Sequence, residues 1–396
     1  MKLLKFPKSK ETQKKVKNPG PALKKIIQKL KKIREKKLYG LTAVGEFLVD
    51  SITPENSIEE AEKSLDYKDR PGGSPANTAV NFFKLGISAN LIAKIGYDFN
   101  GKFLLKNLKQ QSFPSKGIVR EYKKPTSRVL IATGTEGKFD LSKTHREADT
   151  NLRYKDVDQE LVKKAFCLTS GIFATEYPTT RETILKIFKL AKKREQLILI
   201  DPDFNGFRRF RGFDHKETII SPFQYSLKID QTPEYPEEIL KKIDNFIKKY
   251  LRLADIVTPS RLDAKRYLGS QAVKNMSNED IAKKYYEISD QALVVMTVGA
   301  EGSLIYDGKN FYNIPPYKAF KSLSTKGAGD AFKAGFLAGL ERSRNISDIV
   351  YCAALGNIVG AYCTSQIGAW IQFPGLGKWF RLGRDLFNKV KIYKKS

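Results

Sequence analysis

From Leu41 onward the chain alternates short apolar runs with helical stretches of ten or more residues, and this alternation restricts the fold more than any other feature. The runs Leu41–Val49, Ala89–Ile95, Ala165–Leu168, Leu197–Asp201, Asp255–Thr258, Leu293–Val298 and Ser303–Tyr306 read as strands. Between or after them, Ala76–Leu85, Phe103–Gln111, Thr180–Arg194, Pro236–Leu251 and Asp330–Glu341 carry apolar residues at helical spacing. Strand–helix alternation of this length requires crossovers, so the expected architecture is α/β: a central, mostly parallel sheet flanked by helices. Arg128–Thr133 and Lys138–Leu141, separated by Thr135-Glu136-Gly137, read as a β-hairpin. Phe204–Glu234 has no period and reads as an irregular insertion.

Composition narrows the chemistry. Apolar residues make up 41% of 396, ample for one large core, and no uncharged apolar run reaches the eighteen residues of a membrane span. The cysteines Cys167, Cys352 and Cys363 form neither a CxxC nor a metal-ligand spacing, which suits reduced core residues in a cytoplasmic protein. His145 and His215 are the only histidines, too few for a histidine metal centre and poor material for a Ser-His-Asp hydrolase.

The basic character sits in the ends. Residues 1–38 hold fifteen lysines and arginines against Glu11 and Glu35, and residues 371–396 hold seven against Asp385. The first 20 residues read as disordered. In 21–38, Leu23, Ile26, Ile27, Leu30 and Ile33 mark one face of a basic amphipathic helix. Two readings are open: a surface for an anionic membrane or polyanion, or a helix packed on the protein with a solvated lysine face. The division is therefore a basic extension (1–38), one α/β domain (39–370) and a basic tail (371–396), with organelle targeting by the N-terminus left open.

Three motifs carry chemistry. In Lys326-Gly327-Ala328-Gly329-Asp330, small residues leave backbone N–H groups unobstructed at a helix start, an anion hole for a transferring phosphate. Asp330 stands where it can take a proton from an attacking hydroxyl, and phosphoryl transfer needs little more than positioning and charge stabilisation. The competing reading makes Asp330 a helix cap. Some 250 positions upstream, Arg70-Pro71-Gly72-Gly73-Ser74-Pro75-Ala76-Asn77 allows close backbone approach to a polyhydroxy ligand, with Asn77 as donor and acceptor. Asp50 ends the first strand, on the side where open α/β sheets bind ligands.

In this order and spacing the motifs resemble those of the ribokinase (PfkB) carbohydrate kinases, most of all the fructokinase-like branch, over about Leu41 to Ala369. The resemblance implies a ribokinase-like domain with a small β-sheet lid, formed by residues after Asp50 and the Arg128–Leu141 hairpin. It implies an ATP- and Mg²⁺-dependent sugar kinase acting on fructose or a related ketose or sugar acid. Asp50, Gly72, Gly73, Asn77 and Arg146 would bind the sugar. Asp330 would be the base, and Gly327, Ala328 and Gly329 the anion hole. Ser260, Thr297, Gly299, Gly302, Lys326 and Asn357 would line the ATP site, and Asp263 would reach the metal through water. Pairing of lid edges into a homodimer is a further implication.

Three departures stand out. Ser324-Thr325-Lys326 replaces the family's Asp-Thr-Thr. Ser260-Arg261-Leu262-Asp263 replaces Asn-x-x-Glu. Asp201-Pro202-Asp203-Phe204-Asn205 lacks the family's arginine, for which Arg208 or Arg209 would have to substitute. They leave a second function class open, a non-catalytic fructokinase-like protein that binds nucleic acid or a protein complex. A nucleoside kinase is the weaker third reading, because Gly72–Asn77 is sugar-like.

Overall fold

The computed structural model describes residues 16, 18–132, 141–204, 210–211, 213, 236–343, 348–372, 386 and 391–393. Its main sheet is built from β1 (Leu41–Val44), β4 (Ala89–Gly96), β5 (Ile118–Glu121), β8 (Cys167–Gly171), β9 (Leu197–Asp201), β10 (Ile256–Val257), β11 (Leu293–Thr297), β12 (Ser303–Tyr306), β13 (Phe311–Ile314) and β14 (Lys391–Tyr393). In space they run β14-β13-β12-β11-β10-β9-β8-β1-β4-β5. From β5 to β11 every pairing is parallel, and the three from β11 to β14 are antiparallel. The parallel strands are continuous apolar runs because helices cover both faces; β1, β8 and residues Leu197–Ile200 and Leu293–Met296 are buried throughout.

A second sheet stands apart, in the order β3-β2-β6-β7, from β2 (Leu48–Thr53), β3 (Lys68–Gly72), β6 (Arg128–Ala132) and β7 (Leu141–His145). It encloses its own small core of Ile58, Ala61, Leu130 and Ala132, with Tyr67 packed against it. Two expectations need correction here. The run Leu41–Val49 is not one strand: Gly45, at φ +147°, breaks it, and the chain leaves the main sheet for the small one. A Cβ at Gly45 would lie 2.8 Å from Pro75 and 3.0 Å from Ala174. Asp50 is consequently mid-strand in β2, opposite Arg70 and Val129, and not at the end of a main-sheet strand. The hairpin is present, but its second strand is Leu141–His145 and pairs Arg128 with His145; the expected turn lies outside the described residues. So does most of the expected Phe204–Glu234 insertion.

Five helices build the site or brace it: α1 (Pro21–Glu35), α2 (Ser74–Lys84), α3 (Arg261–Leu268), α4 (Ala328–Arg342) and α5 (Asp348–Thr364). Helices α4 and α5 pack closely because small residues face each other; a Cβ on Gly335 would come within 3.0 Å of the Gly356 Cα. Helix α1 settles its two readings in favour of packing on the protein. Leu23, Ile26, Leu30 and Ile33 are buried in the main core against β9 and β11. Lys29 Nζ lies 2.5 Å from Asp255, Lys32 and Lys36 pair with Glu195, and the Gly20 N–H donates to Asp307 at 2.7 Å. Asn310 donates to the Asn18 carbonyl, so order begins before the expected residue 20. At the other end, Lys391–Tyr393 is an edge strand on β13. No helix among the described residues is long and apolar enough to cross a membrane.

Candidate active site

The site forms where α2 and α4 both begin, beneath the small sheet. Gly327 precedes α4 at φ +73°, and a Cβ there would sit 2.4 Å from Ala369. The first i→i−4 bond of α4 runs from Ala331 N–H to Gly327, so the Gly329 and Asp330 N–H groups stand ahead of it at the positive end of the helix. A Cβ on Gly329 would meet nothing within 4 Å, which leaves open space over this turn. Gly73, at φ +101°, starts α2 equally tightly: a Cβ would lie 2.4 Å from the Glu46 carbonyl.

These two starts bring Asp330 and Asn77 together. Ser74 Oγ donates to Asp330 Oδ1 at 2.7 Å, and Asn77 Nδ2 donates to Asp330 Oδ2 at 2.8 Å. Asn77 Oδ1 accepts from the Trp370 indole at 2.9 Å. Lys333, one turn into α4, places its ammonium 3.0 Å from Asp330 Oδ1 and 2.8 Å from Ser74 Oγ, and also pairs with Asp201 at the end of β9. From the small sheet, Asp50 packs on the Gly72 backbone so closely that a Cβ would meet its carboxylate at 2.5 Å. Burial pushes the Asp50 carboxyl up to about 7; Lys326 opposes that shift and Asp330 adds to it.

Behind this floor lies a second polar cluster. Glu46, buried between β1 and β2, accepts from the Ser74 N–H at 3.0 Å, while its Oε2 has no hydrogen-bond partner. Burial raises its carboxyl to about 8, against the pull of Arg146. Arg146 is more committed than expected of a sugar ligand. Its side chain is 3% exposed; Nε donates to Asp149 at 2.6 Å, Nη1 reaches the Phe173 carbonyl and Glu176, and the plane covers the Phe173 ring. Only Nη2, buried and without a partner, is left over. Asp203, where the family has asparagine, accepts from the Phe173 N–H at 3.0 Å, and burial and Asp201 raise its carboxyl well above the usual carboxylate range. Arg208 and Arg209 lie outside the described residues.

The expected nucleotide residues gather at a different edge, at the C-terminal ends of β10 and β11. Ser260 bridges to Thr297, and the Thr297 N–H donates to the Pro259 carbonyl. Gly302, at φ +101°, fits beneath the Ile314 carbonyl, where a Cβ would be 2.3 Å away; Gly299, at φ +57°, faces open space. Asn357 is turned toward the protein: Nδ2 donates to the Ile314 and Pro315 carbonyls, tying α5 to the end of β13. Asp263 Oδ2 accepts from both the Ser260 N–H (2.9 Å) and Oγ (2.5 Å), closing a capping box on α3. Lys326 leads into the anion turn, its N–H on Ser324 Oγ at 3.3 Å. Ser74, Trp370, Glu46, Asp201 and Lys333 are site residues that sequence reasoning missed; the i, i+3 spacing of Asp330 and Lys333 was the one available signal.

A family model for pfkB family carbohydrate kinases matches residues 40–209 and 231–374. The chain belongs to the pfkB family of carbohydrate kinases. Among curated proteins it is 28% identical over 340 residues to an ATP-dependent 6-phosphofructokinase of Thermoanaerobacterium thermosaccharolyticum, covering 86% of this chain and 92% of that one. Among solved structures it resembles a sugar kinase of Pyrococcus horikoshii in complex with ATP (25% identity, TM-score 0.68, 87% and 99% covered). It also resembles the fructokinase of Halothermothrix orenii (27% identity, TM-score 0.62, 80% and 97% covered). This pfkB chain is thus a sugar kinase with a ribokinase-like fold, its small antiparallel-edged sheet set beside a mostly parallel one.

Proposed function

We propose that this pfkB protein transfers the γ-phosphoryl group of ATP to a hydroxyl of a small sugar, a ketohexose such as fructose or a close relative, with Asp330 as base. The observation that carries this reading is the Asp330 carboxylate itself. It sits in the first turn of α4, held on both oxygens by Ser74 and Asn77, with open space over Gly329 beside it.

The sugar would lie between that carboxylate and the small sheet, its hydroxyls taken by Asp50, Asn77 and the Gly72–Gly73 backbone. The attacking hydroxyl gives its proton to Asp330 as its oxygen bonds to the γ-phosphorus, and the bond to the β,γ-bridging oxygen breaks with release of ADP. Negative charge on the phosphoryl oxygens meets the Gly329 and Asp330 N–H groups and the helix dipole, fixed in place before the reaction. ATP would enter along Ser260, Thr297, Gly299 and Gly302.

The donor set fits Mg²⁺ carried mainly by phosphate and water. No cluster of three acidic, histidine or cysteine side chains occurs among the described residues, and Mg²⁺ in nucleotide sites keeps several waters. Asp263 would offer Oδ1 to that water shell, since Oδ2 is taken by Ser260. Bound there, the ion would neutralise charge on the β- and γ-phosphates.

ADP release by the purified protein, measured against ketohexoses, aldohexoses, sugar acids, sugar phosphates and nucleosides, tests the assignment. Turnover on a ketose or a close relative supports it. Turnover on nucleosides alone, or on nothing, defeats it.

A further inference from the structure

Lys333 is an uncommon choice for the wall of an active site. It belongs to a stretch of α4, Ala331 to Leu340, that is otherwise small or apolar and buried, and it is itself only 4% exposed. A buried ammonium is costly unless it is paired. Here it is paired on every side: with Asp330 on its own helix, with Asp201 at the end of β9, and with the Ser74 hydroxyl at the start of α2. Ser74 completes the ring by donating to Asp330 Oδ1. Lys333 therefore sits between two carboxylates that would otherwise face one another across a single hydroxyl.

Resting on the kinase reading, we propose that Lys333 is a positioning residue for the base: its ammonium bridges Asp330 and Asp201, aims Asp330 at the acceptor hydroxyl and sets the lower pH limit of turnover. Lys333 takes no proton from the sugar and touches neither phosphate nor acceptor. It acts through Asp330 alone.

The charges around the bridge give the sign. Asp330 lies on α4, Asp201 on β9, Asp203 just beyond it, Glu46 between β1 and β2, and Asp50 on β2; Lys326 enters from the anion turn, and the Cys363 thiol from α5. Carboxylates dominate this set. Burial pulls the Lys333 ammonium down, yet Asp201 and Asp330 outweigh it and hold it above the ordinary lysine value. Removing the cation leaves like charges at close range, and one of the carboxylates then takes up a proton at higher pH. A base carrying a proton accepts none.

The test is the pH profile of kcat/KM from about pH 5.5 to 9 for the intact protein and the variants Lys333→Met, Lys333→Arg and Asp201→Asn. Lys333→Met should move the acid limb up by about one pH unit or more, so that its rate deficit at pH 6 exceeds that at pH 8.5 by about tenfold. KM for the sugar should change by less than about threefold, and Lys333→Arg should recover most of the profile. Asp201→Asn leaves the ammonium to Asp330 alone and should move the limb down; it keeps the shape of the site and carries the test if the methionine variant does not fold. Parallel profiles for wild type and Lys333→Met, or limbs of Lys333→Met and Asp201→Asn that move the same way, overturn the proposal. Absence of turnover in the wild-type protein on every sugar is a different result: it defeats the kinase reading, and this role falls with it.

Discussion

The indole N–H of Trp370 donates to Asn77 Oδ1 at 2.9 Å, and this decides which end of the Asn77 amide meets Asp330. With the oxygen occupied, Nδ2 must point at the carboxylate, where it lies 2.8 Å from Oδ2. Trp370 also stacks on Phe47, ring centroids 6.3 Å apart, beside the link between the two sheets. A residue 293 positions away in sequence thus sets the donor geometry of the base.

Trp370→Phe separates the two contributions, because it keeps a ring to stack and removes the N–H. One net hydrogen bond is worth about 0.5–1.5 kcal/mol. The variant should lose roughly two- to tenfold in kcat with KM for ATP unchanged. Steady-state kinetics on the preferred sugar measures this, and an unaltered kcat would detach Trp370 from the base.

Asp50→Ala and Asn77→Ala should each weaken sugar binding while ATP binding persists. A lost hydrogen bond to a charged group costs about 1.5–3 kcal/mol, so sugar Kd should rise by about one to two orders of magnitude. Calorimetric titration reads it directly, and unchanged sugar affinity in both variants removes these residues from the sugar site.

Glu46 predicts how stability depends on pH. Its folded-state value of about 8 lies above that of an exposed glutamate, so the folded protein binds the extra proton. Stability from this group is complete at low pH and is lost as pH rises from about 4.5 toward 8. Glu46→Gln removes the titration. The melting temperature of the wild type relative to Glu46→Gln should therefore fall steadily from pH 5 to pH 8, on the order of 1–3 kcal/mol in stability. A gap independent of pH would show that Glu46 is charged in the folded protein.

Helix α1 carries a structural prediction. Its buried side chains enter the main core, so residues 1–35 are not a removable extension. Ile26→Ala should cost roughly 2–5 kcal/mol by denaturant unfolding. Removal of residues 1–35 should lower the melting temperature far more than substitution of the exposed lysines. A truncated chain as stable as the whole would contradict the packing described.

What the sequence discloses divides along a physical line. The anion turn is local: Gly327, Gly329 and Asp330 are adjacent, and glycine before a helix with an acid in its first turn is readable from one segment. The parallel sheet is readable because strands buried on both faces are apolar throughout, as Leu197–Ile200 is. The split at Gly45 was hidden, since Leu41–Val49 is apolar on both sides of a buried Glu46 and burial of a carboxylate leaves no trace in composition. The fate of α1 turned on Asp255 and Asp307, remote residues whose pairing with Lys29 and Gly20 no periodicity announces. Lys333 is the sharpest case. Its spacing from Asp330 is visible, but Asp201 is 132 positions away, and only the fold makes the pair a bridge.

The central claim is that Asp330 takes the proton of the acceptor hydroxyl. Transfer of label from γ-labelled ATP to the preferred sugar, followed side by side for wild type and Asp330→Asn at saturating substrates, tests it most directly. The account predicts that kcat falls by about two to four orders of magnitude while KM for the sugar changes little. Turnover by Asp330→Asn within a few-fold of wild type would contradict it.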